Sequence, residues 1–247
     1  MSDTNSRRVA LVTGASRGLG AVIARFLAGQ GYALILTART AAALDELAQT
    51  LAPFGGPVVA LPGDIDDAGH RVRLAQAAAE FGRLDMLVNN ASDLGPSPLL
   101  ELSKFPLDKL ARLFSVNVLA QLGLVQALLP LLRRSHGLVV NISSDAAKGG
   151  YETWGGYGAT KAALDLMSLT LAHELRPDGI AVVSVDPGDM RTDMHQAAYP
   201  GQDISDRPLP DVTLPFWAWL FNQDWQAVSG QRFNAQAEEW LVEHEAR

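Results

Sequence analysis

The chain has 247 residues, 48% of them hydrophobic, with a formal net charge of −7 and no cysteine. Disulfides and thiolate-bound metal are excluded, and none of the histidines (His70, His136, His173, His195, His244) stands at metal-ligand spacing, so no metal site is expected. The acidic balance argues against nucleic acid or an anionic membrane as a partner. The longest nearly apolar run, 122–132, is short of the ~20 residues that a bilayer span requires. Arg7-Arg8 leads into an apolar run that a glycine turn cuts off, too short for a secretory leader. A cytoplasmic protein is the expectation.

Residues 9–13 form a β-favouring run that ends in Gly14-Ala15-Ser16-Arg17-Gly18-Leu19-Gly20. Leu19, Val22, Ile23, Phe26 and Leu27 follow at helical spacing, so the segment reads as strand, glycine turn, helix. Glycines permit positive φ and close approach of a ligand to the backbone. The helix N-terminus offers free N–H groups and a positive dipole end to a pyrophosphate. A plain βα turn has the same composition, and the spacing is not the G-x-G-x-x-G of the commonest dinucleotide fingerprint.

Further strands are predicted at 33–37, 58–61, 85–89, 138–142, 180–186 and 230–234, with helices between them. Two helices are long, 106–134 and 154–176, and Pro177 closes the second. The alternation predicts an α/β, single-domain doubly wound Rossmann fold over 1–247, with about seven parallel strands and helices on both faces. Residues 1–6 read as a loose tail. In such sheets ligands bind beyond the carboxyl ends of the strands. Segment 188–215 carries Pro200, Pro208, Pro210 and Pro215 and is expected to be a substrate loop, with His195–Pro215 as its irregular part; a subunit contact is the alternative. The aromatic run Leu214–Phe221 is expected to pack in the core or an interface.

Tyr157 and Lys161 stand one helical turn apart, so in a helix the phenol and ammonium share a face. A phenol ionises near pH 10, and a nearby cation lowers that value. A tyrosine tuned in this way can exchange a proton with an alkoxide or alcohol, while the hydroxyl of Ser144 holds the same oxygen. Alone, Y-x-x-x-K is a frequent chance pattern.

Together these residues resemble the short-chain dehydrogenase/reductase family along almost the whole chain. Thr13 to Gly20 is similar to its T-G-x-x-x-G-x-G cofactor motif, and Asn89-Asn90-Ala91 to its N-N-A-G motif, with Ser92 in place of the glycine. Asn117, Ser144, Tyr157 and Lys161 match its catalytic residues in order, and Pro187-Gly188 with Thr192 its P-G-x-x-x-T element. Ser229 to Gln236 departs from the family's V-D-G-G-like ending. The resemblance implies cofactor contacts at Gly14, Ser16, Arg17, Gly18, Leu19, Gly20, Arg39, Asp64, Ile65, Asn90, Ala91, Tyr157, Lys161, Pro187, Gly188, Met190 and Thr192. It implies that Asn117 holds a water linking Lys161 to solvent, and that Asp145, Trp154, Asp189 and His195 are candidates for the substrate. Arg39 at the end of the second strand, where NAD-preferring enzymes present an acid, and Arg17 in the glycine turn point to NADP(H), whose 2′-phosphate two guanidinium groups can grip.

The implied activity is NADPH-dependent interconversion of a small-molecule carbonyl and alcohol, by a homodimer or homotetramer. The open alternatives are an alcohol dehydrogenase working in the oxidising direction, epimerisation or dehydration on the same fold, and a non-catalytic NADPH-binding regulatory module.

Overall fold

The computed structural model describes residues 7–242; the tail expected at 1–6 and His244 lie outside them. Seven strands form one sheet: β1 (Val9–Thr13), β2 (Ala33–Ala38), β3 (Val58–Pro62), β4 (Met86–Asn89), β5 (Leu138–Ile142), β6 (Ala181–Asp186) and β7 (Arg232–Asn234). Their order is β3-β2-β1-β4-β5-β6-β7, and every neighbouring pair is parallel. The helices are α1 (Gly18–Gly29), α2 (Ala41–Leu51), α3 (Ala68–Phe81), α4 (Leu107–Phe114), α5 (Ala120–Ser135), α6 (Ala146–Gly149), α7 (Gly155–Leu175), α8 (Asp193–Ala198), α9 (Leu214–Phe221) and α10 (Trp225–Val228). This is the doubly wound arrangement that the alternation predicts.

The two-residue period of the strands sorts apolar side chains between the faces. Ala10, Val12, Leu34, Leu36, Val88 and Val140 join Ile23 and Leu27 of α1 and Phe216 and Trp217 of α9 in one core. Leu11, Ile35, Leu87 and Val139 join Leu74 of α3, Leu124 and Leu128 of α5 and Leu171 of α7 in the other. Each such fully buried leucine or isoleucine contributes about 1.5–3 kcal/mol. The aromatic run of α9 is core, as expected: Phe216 lies 5.8 Å from the Phe233 ring and 5.4 Å from Trp240.

Several expectations need correction. The long helix expected at 106–134 runs Leu107–Ser135 and contains a π turn, Ser115–Leu119. At 29 residues it is long and apolar enough to cross a membrane, but half of its apolar window is buried. Val116, Ala120, Leu124, Leu128 and Leu132 pack in the second core, as in a core helix. The helix expected at 154–176 spans α7 and gives way to a 3-10 turn, Arg176–Asp178. The last strand starts at Arg232 rather than 230, because Gly230 turns at φ +88°. The segment from 195 to 215 is not one loop: His195 lies inside α8, a 3-10 turn spans Pro210–Thr213, and α9 begins at Leu214.

From β1 the chain steps outward to β3, then returns to start β4 on the other side of β1. The connections leaving β1 and β4 therefore diverge at the carboxyl edge, where this class of sheet binds ligands.

Candidate active site

A cleft of about 770 Å³ opens at that switch point. Its floor is the turn from β1 into α1. Thr13 Oγ1 donates to Val88 O (3.2 Å) and accepts from the N–H groups of Asn90 and Ala91 (2.9 Å each). Asn90 Nδ2 donates to Thr13 O (2.9 Å) and Gly14 O (3.1 Å). The Asn90 side chain thus braces the glycine turn, while Asn90 and Ala91 both line the cleft. A Cβ on Gly14, which has φ +63°, would lie 2.8 Å from Asn90 Nδ2, and one on Gly20 only 2.3 Å from Gly14 O. Gly20 therefore lets the helix pack against the turn and is not itself on the cleft wall. Ser16, Arg17, Gly18 and Leu19 are on that wall, and α1 starts there without a side-chain cap. Its first N–H groups are available to an anion.

Beyond β2 and β3 the cleft is bordered by Arg39, Asp64 and Ile65. Arg39 is exposed and makes no hydrogen bond or ion pair among the described residues. Arg17, expected beside it, instead pairs with Asp193 of α8 (Nη1 to Oδ2, 2.6 Å). Both of those side chains are about 70% exposed, so water competes for the pair. Burial alone would raise the Asp64 carboxyl. The Asp66 N–H (3.0 Å) and the Arg112 guanidinium (2.8 Å) hold it below the ordinary carboxylate range.

Tyr157 and Lys161 lie in the first turns of α7 at the opposite end of the cleft, both buried and both on its wall. Lys161 Nζ donates to Ile142 O (2.7 Å) and stands 5.4 Å from the centre of the Tyr157 ring. The expected proximity is present; the expected lowering of the phenol is not. Burial pushes the Tyr157 phenol well above its ordinary value, a hydrogen bond to Ser92 opposes this, and the charges of Asp186 and Asp145 add to it. Burial lowers the Lys161 ammonium to about 8, with Asp165 opposing. Desolvation disfavours the charged form of each group, so Tyr157 is a neutral phenol at neutral pH.

Asn117 sits in the π turn, fully buried. Its Nδ2 donates to Asp93 O (2.8 Å) and Thr160 Oγ1 (3.0 Å), and its Oδ1 accepts from Asp93 N–H (2.7 Å) and Ser92 Oγ (3.1 Å). The amide is thereby saturated, so a water could be held only by the Asn117 backbone. Ser144 follows β5 just behind the wall, its hydroxyl donating to Asp145 Oδ1 (3.1 Å). Neither Ser144 nor Asn117 is itself on the cleft wall.

After β6, Pro187, Met190 and Thr192 line the cleft, whereas Gly188 (φ +72°) forms the turn behind them. Gln236 Nε2 ties this turn down through Pro187 O and Asp189 O (2.9 Å each). Arg232 of β7 joins Asp165 (2.9 Å), Asp186 (3.3 Å) and the backbone oxygen of Ser144 (2.8 Å). Arg232→Met would leave two largely buried carboxylates without their partner. It is expected to cost about 3 kcal/mol, or roughly 6–12 °C in Tm by thermal denaturation; an unchanged Tm would show the network to be idle.

The sequence profile of the short chain dehydrogenases matches residues 8–203, most of the chain. The chain belongs to the short chain dehydrogenase family. A rhamnolipid-biosynthesis 3-oxoacyl-acyl-carrier-protein reductase of Pseudomonas aeruginosa is 39% identical over 222 residues, 86% of this chain and 83% of that one. A solved short chain dehydrogenase from Pseudomonas syringae superposes with a TM-score of 0.87 at 35% identity, covering 96% of this chain and 97% of that one. One from Shigella flexneri 2a, complexed with NADP, gives 0.86 at 31% identity over 96% of this chain and all of that one.

In this short chain dehydrogenase Tyr157 meets an apolar wall. Leu94, Ala146 and Ala198 cluster with it, and Leu99, Trp154, Ala197 and Tyr199 pack around them. Trp154 lies 5.9 Å from the Tyr157 ring and 6.2 Å from Tyr199. Among the substrate candidates Trp154 is thus beside the phenol, and Asp145 is engaged by Ser144. Asp189 is exposed and faces Arg207 (3.5 Å). The His195 ring lies against Tyr199 (5.2 Å), with Nδ1 3.9 Å from Asp189. Sequence reasoning missed Arg112, Arg232, Gln236 and Leu94 as parts of the site. Ser92, the departure from the family pattern, lies on the cleft wall.

Proposed function

We propose that the protein is an NADPH-dependent carbonyl reductase with Tyr157 as proton donor. The observation that carries this is a neutral, buried phenol, one helical turn from Lys161 and against an apolar wall, in the cleft whose other end is a glycine turn and a free arginine. The cofactor fits the residues present. Gly14 and Gly18 offer a surface without side chains, α1 an uncapped N-terminus, Arg39 an unpaired cation, and Ser143 Oγ is a buried polar atom without a partner on the same wall. The glycine turn and α1 would hold the pyrophosphate and Arg39 the 2′-phosphate. Asp64 and Ile65 would flank the adenine, and Lys161, Met190 and Thr192 the nicotinamide end. The NADP complex of the Shigella relative supports the choice of cofactor.

NADPH, when bound, supplies the hydride. Tyr157 holds the substrate oxygen and gives its proton to it as negative charge develops. Ser144 turns its hydroxyl from Asp145 to the same oxygen. Lys161, charged below its value of about 8, steadies the tyrosine oxygen after the proton leaves. The protonated phenol favours the reducing direction, since oxidation would need the phenolate as base. The wall of Leu94, Leu99, Trp154 and Tyr199 suits a carbonyl bearing an apolar substituent, and a 3-oxoacyl reductase among the relatives is consistent with that class. We further place a second copy of the chain on the two long helices, where Leu107, Leu119, Leu166 and Leu169 are exposed.

NADPH consumption against aldehydes, ketones, diketones and 3-oxoacyl esters, with NADH in parallel, tests the proposal. Turnover with NADPH supports it, and tight NADPH binding without turnover on any carbonyl would contradict it. Because the Lys161 ammonium is lost as pH rises through about 8, kcat/KM for reduction is expected to fall on the alkaline side there, since that ratio reports the free enzyme. A profile flat to about pH 10 would detach Lys161 from the reaction.

A further inference from the structure

Arg112 lies on the cleft wall, yet the cofactor reading above gives it no part. It stands in the last turn of α4 and reaches the segment between β3 and α3. Its Nη2 donates to Asp64 Oδ2 (2.8 Å), and its Nη1 donates to Asp66 Oδ2. Asp66 also accepts from Ser115 Oγ, and Arg71 of α3 donates to the backbone oxygens of Ile65 (2.6 Å) and Asp66 (3.0 Å). Residues 64–66 are thus held by the long helix and by α3. A guanidinium fixed by two carboxylates loses little further freedom when a ligand arrives, which favours binding.

A guanidinium carries five N–H donors and no acceptor. Two of those of Arg112 are engaged among the described residues, and the side chain is 41% exposed. The Asp64 carboxylate has about four acceptor sites. It uses two, on the Asp66 N–H (3.0 Å) and on Arg112, and its side chain is 35% exposed. Held below the ordinary carboxylate range, Asp64 is ionised at neutral pH and can only accept. Asp66 is not on the cleft wall. The wall therefore presents a spare acceptor directly beside a spare donor. Ile65 and Val116 lie on the same wall and give a flat ring an apolar face.

An acceptor beside a donor is what the amide of Asn or Gln offers to adenine, whose amino group donates while the neighbouring ring nitrogen accepts. A 6-oxo purine would turn an oxygen toward the Asp64 carboxylate instead. We propose that Arg112 is a further cofactor-binding and specificity-determining residue, which donates to an adenine ring nitrogen beside the amino group that Asp64 accepts. The pair reads the base as Arg39 reads the 2′-phosphate. The inference rests on the assignment of NADPH to this cleft.

The test measures, by equilibrium titration, the affinity of the wild-type protein for NADPH and for three analogues that keep its charge and its 2′-phosphate. Their bases are hypoxanthine, 7-deazaadenine and 1-deazaadenine. Arg39 meets the same phosphate in all four, so its contribution cancels. The hypoxanthine nucleotide and one of the two deaza nucleotides are expected to bind about tenfold more weakly than NADPH, the lower end for a hydrogen bond to a charged group, since both partners are partly exposed. Arg112→Met is expected to weaken NADPH by about the same factor and to bind the disfavoured deaza nucleotide as well as it binds NADPH. Arg112→Lys, which keeps the charge but not the fork, is expected to fall between. Reduced nicotinamide mononucleotide, which has no base, is expected to bind the wild type and both variants alike.

Wild type that binds both deaza nucleotides as tightly as NADPH would overturn the proposal without any variant having to fold. So would a deaza penalty that survives in Arg112→Met, or a loss in that variant shared by the mononucleotide, which would trace to structure. Base discrimination that vanishes with Arg112, in a protein reducing no carbonyl, would keep the role of Arg112 and refute the assigned reaction. Carbonyl reduction without base discrimination would refute the role of Arg112 alone, and no binding of any of these nucleotides would refute both.

Discussion

Tyr157→Phe is expected to lower kcat for carbonyl reduction about a hundred- to ten-thousand-fold, the range that a positioned proton donor contributes. The variant keeps the ring, and with it the packing on Trp154 and on the Leu94, Ala146 and Ala198 cluster. What is lost is the phenolic O–H that the proposal assigns to the substrate oxygen. NADPH affinity, measured by fluorescence titration, is expected to stay within about threefold, because most binding energy comes from groups that do not move in the chemical step. Equal losses in both quantities would mean that Tyr157 holds the cofactor rather than serving as the acid.

Arg39→Asp is expected to reverse the preference between cofactors. Arg39 follows β2 and makes no hydrogen bond or ion pair among the described residues, although its charge helps to lower Asp64, while Arg17, the other candidate for the 2′-phosphate, is already paired with Asp193. On the proposed reading the discrimination rests mainly on one exposed guanidinium. A charge-assisted hydrogen bond is worth roughly 1.5–3 kcal/mol, and solvent access argues for the lower end. With repulsion from the new carboxylate, kcat/KM with NADPH is expected to fall about ten- to a hundredfold, while NADH, whose ribose hydroxyls can donate to an acid, gains or holds. Steady-state kinetics with both cofactors checks this. A fall shared by both would show that Arg39 shapes the cleft instead of reading the phosphate.

The fold was legible because its signals are local and repeated. Apolar runs such as 9–13 and 138–142 end in turns, and Gly14 and Gly20 are required by contacts the structure shows, a Cβ at Gly20 colliding with Gly14 O. The Tyr157–Lys161 pair was legible because four residues are one helical turn. Contacts between distant segments were not. Gln236 reaches Pro187 and Asp189 across 49 and 47 residues, and Arg232 reaches Ser144 across 88. Nothing in their spacing marks them. The ionisation of the phenol was misjudged for a similar reason: spacing reveals a neighbouring cation, but burial, which raises the phenol here, is a property of the packed core. The π turn at Asn117 likewise leaves no trace in an apolar helical pattern.

The central claim is that this cleft delivers hydride from NADPH to a carbonyl carbon under control of Tyr157. The most direct measurement uses NADPH deuterated in turn on each face of the nicotinamide C4, with a ketone that the wild type consumes, and mass analysis of the alcohol. Deuterium at the carbinol carbon from one face only, in wild type and not in Tyr157→Phe over the same time, is the predicted result. NADPH that is consumed without label reaching the carbinol carbon, or label transferred equally well without the Tyr157 hydroxyl, would contradict it.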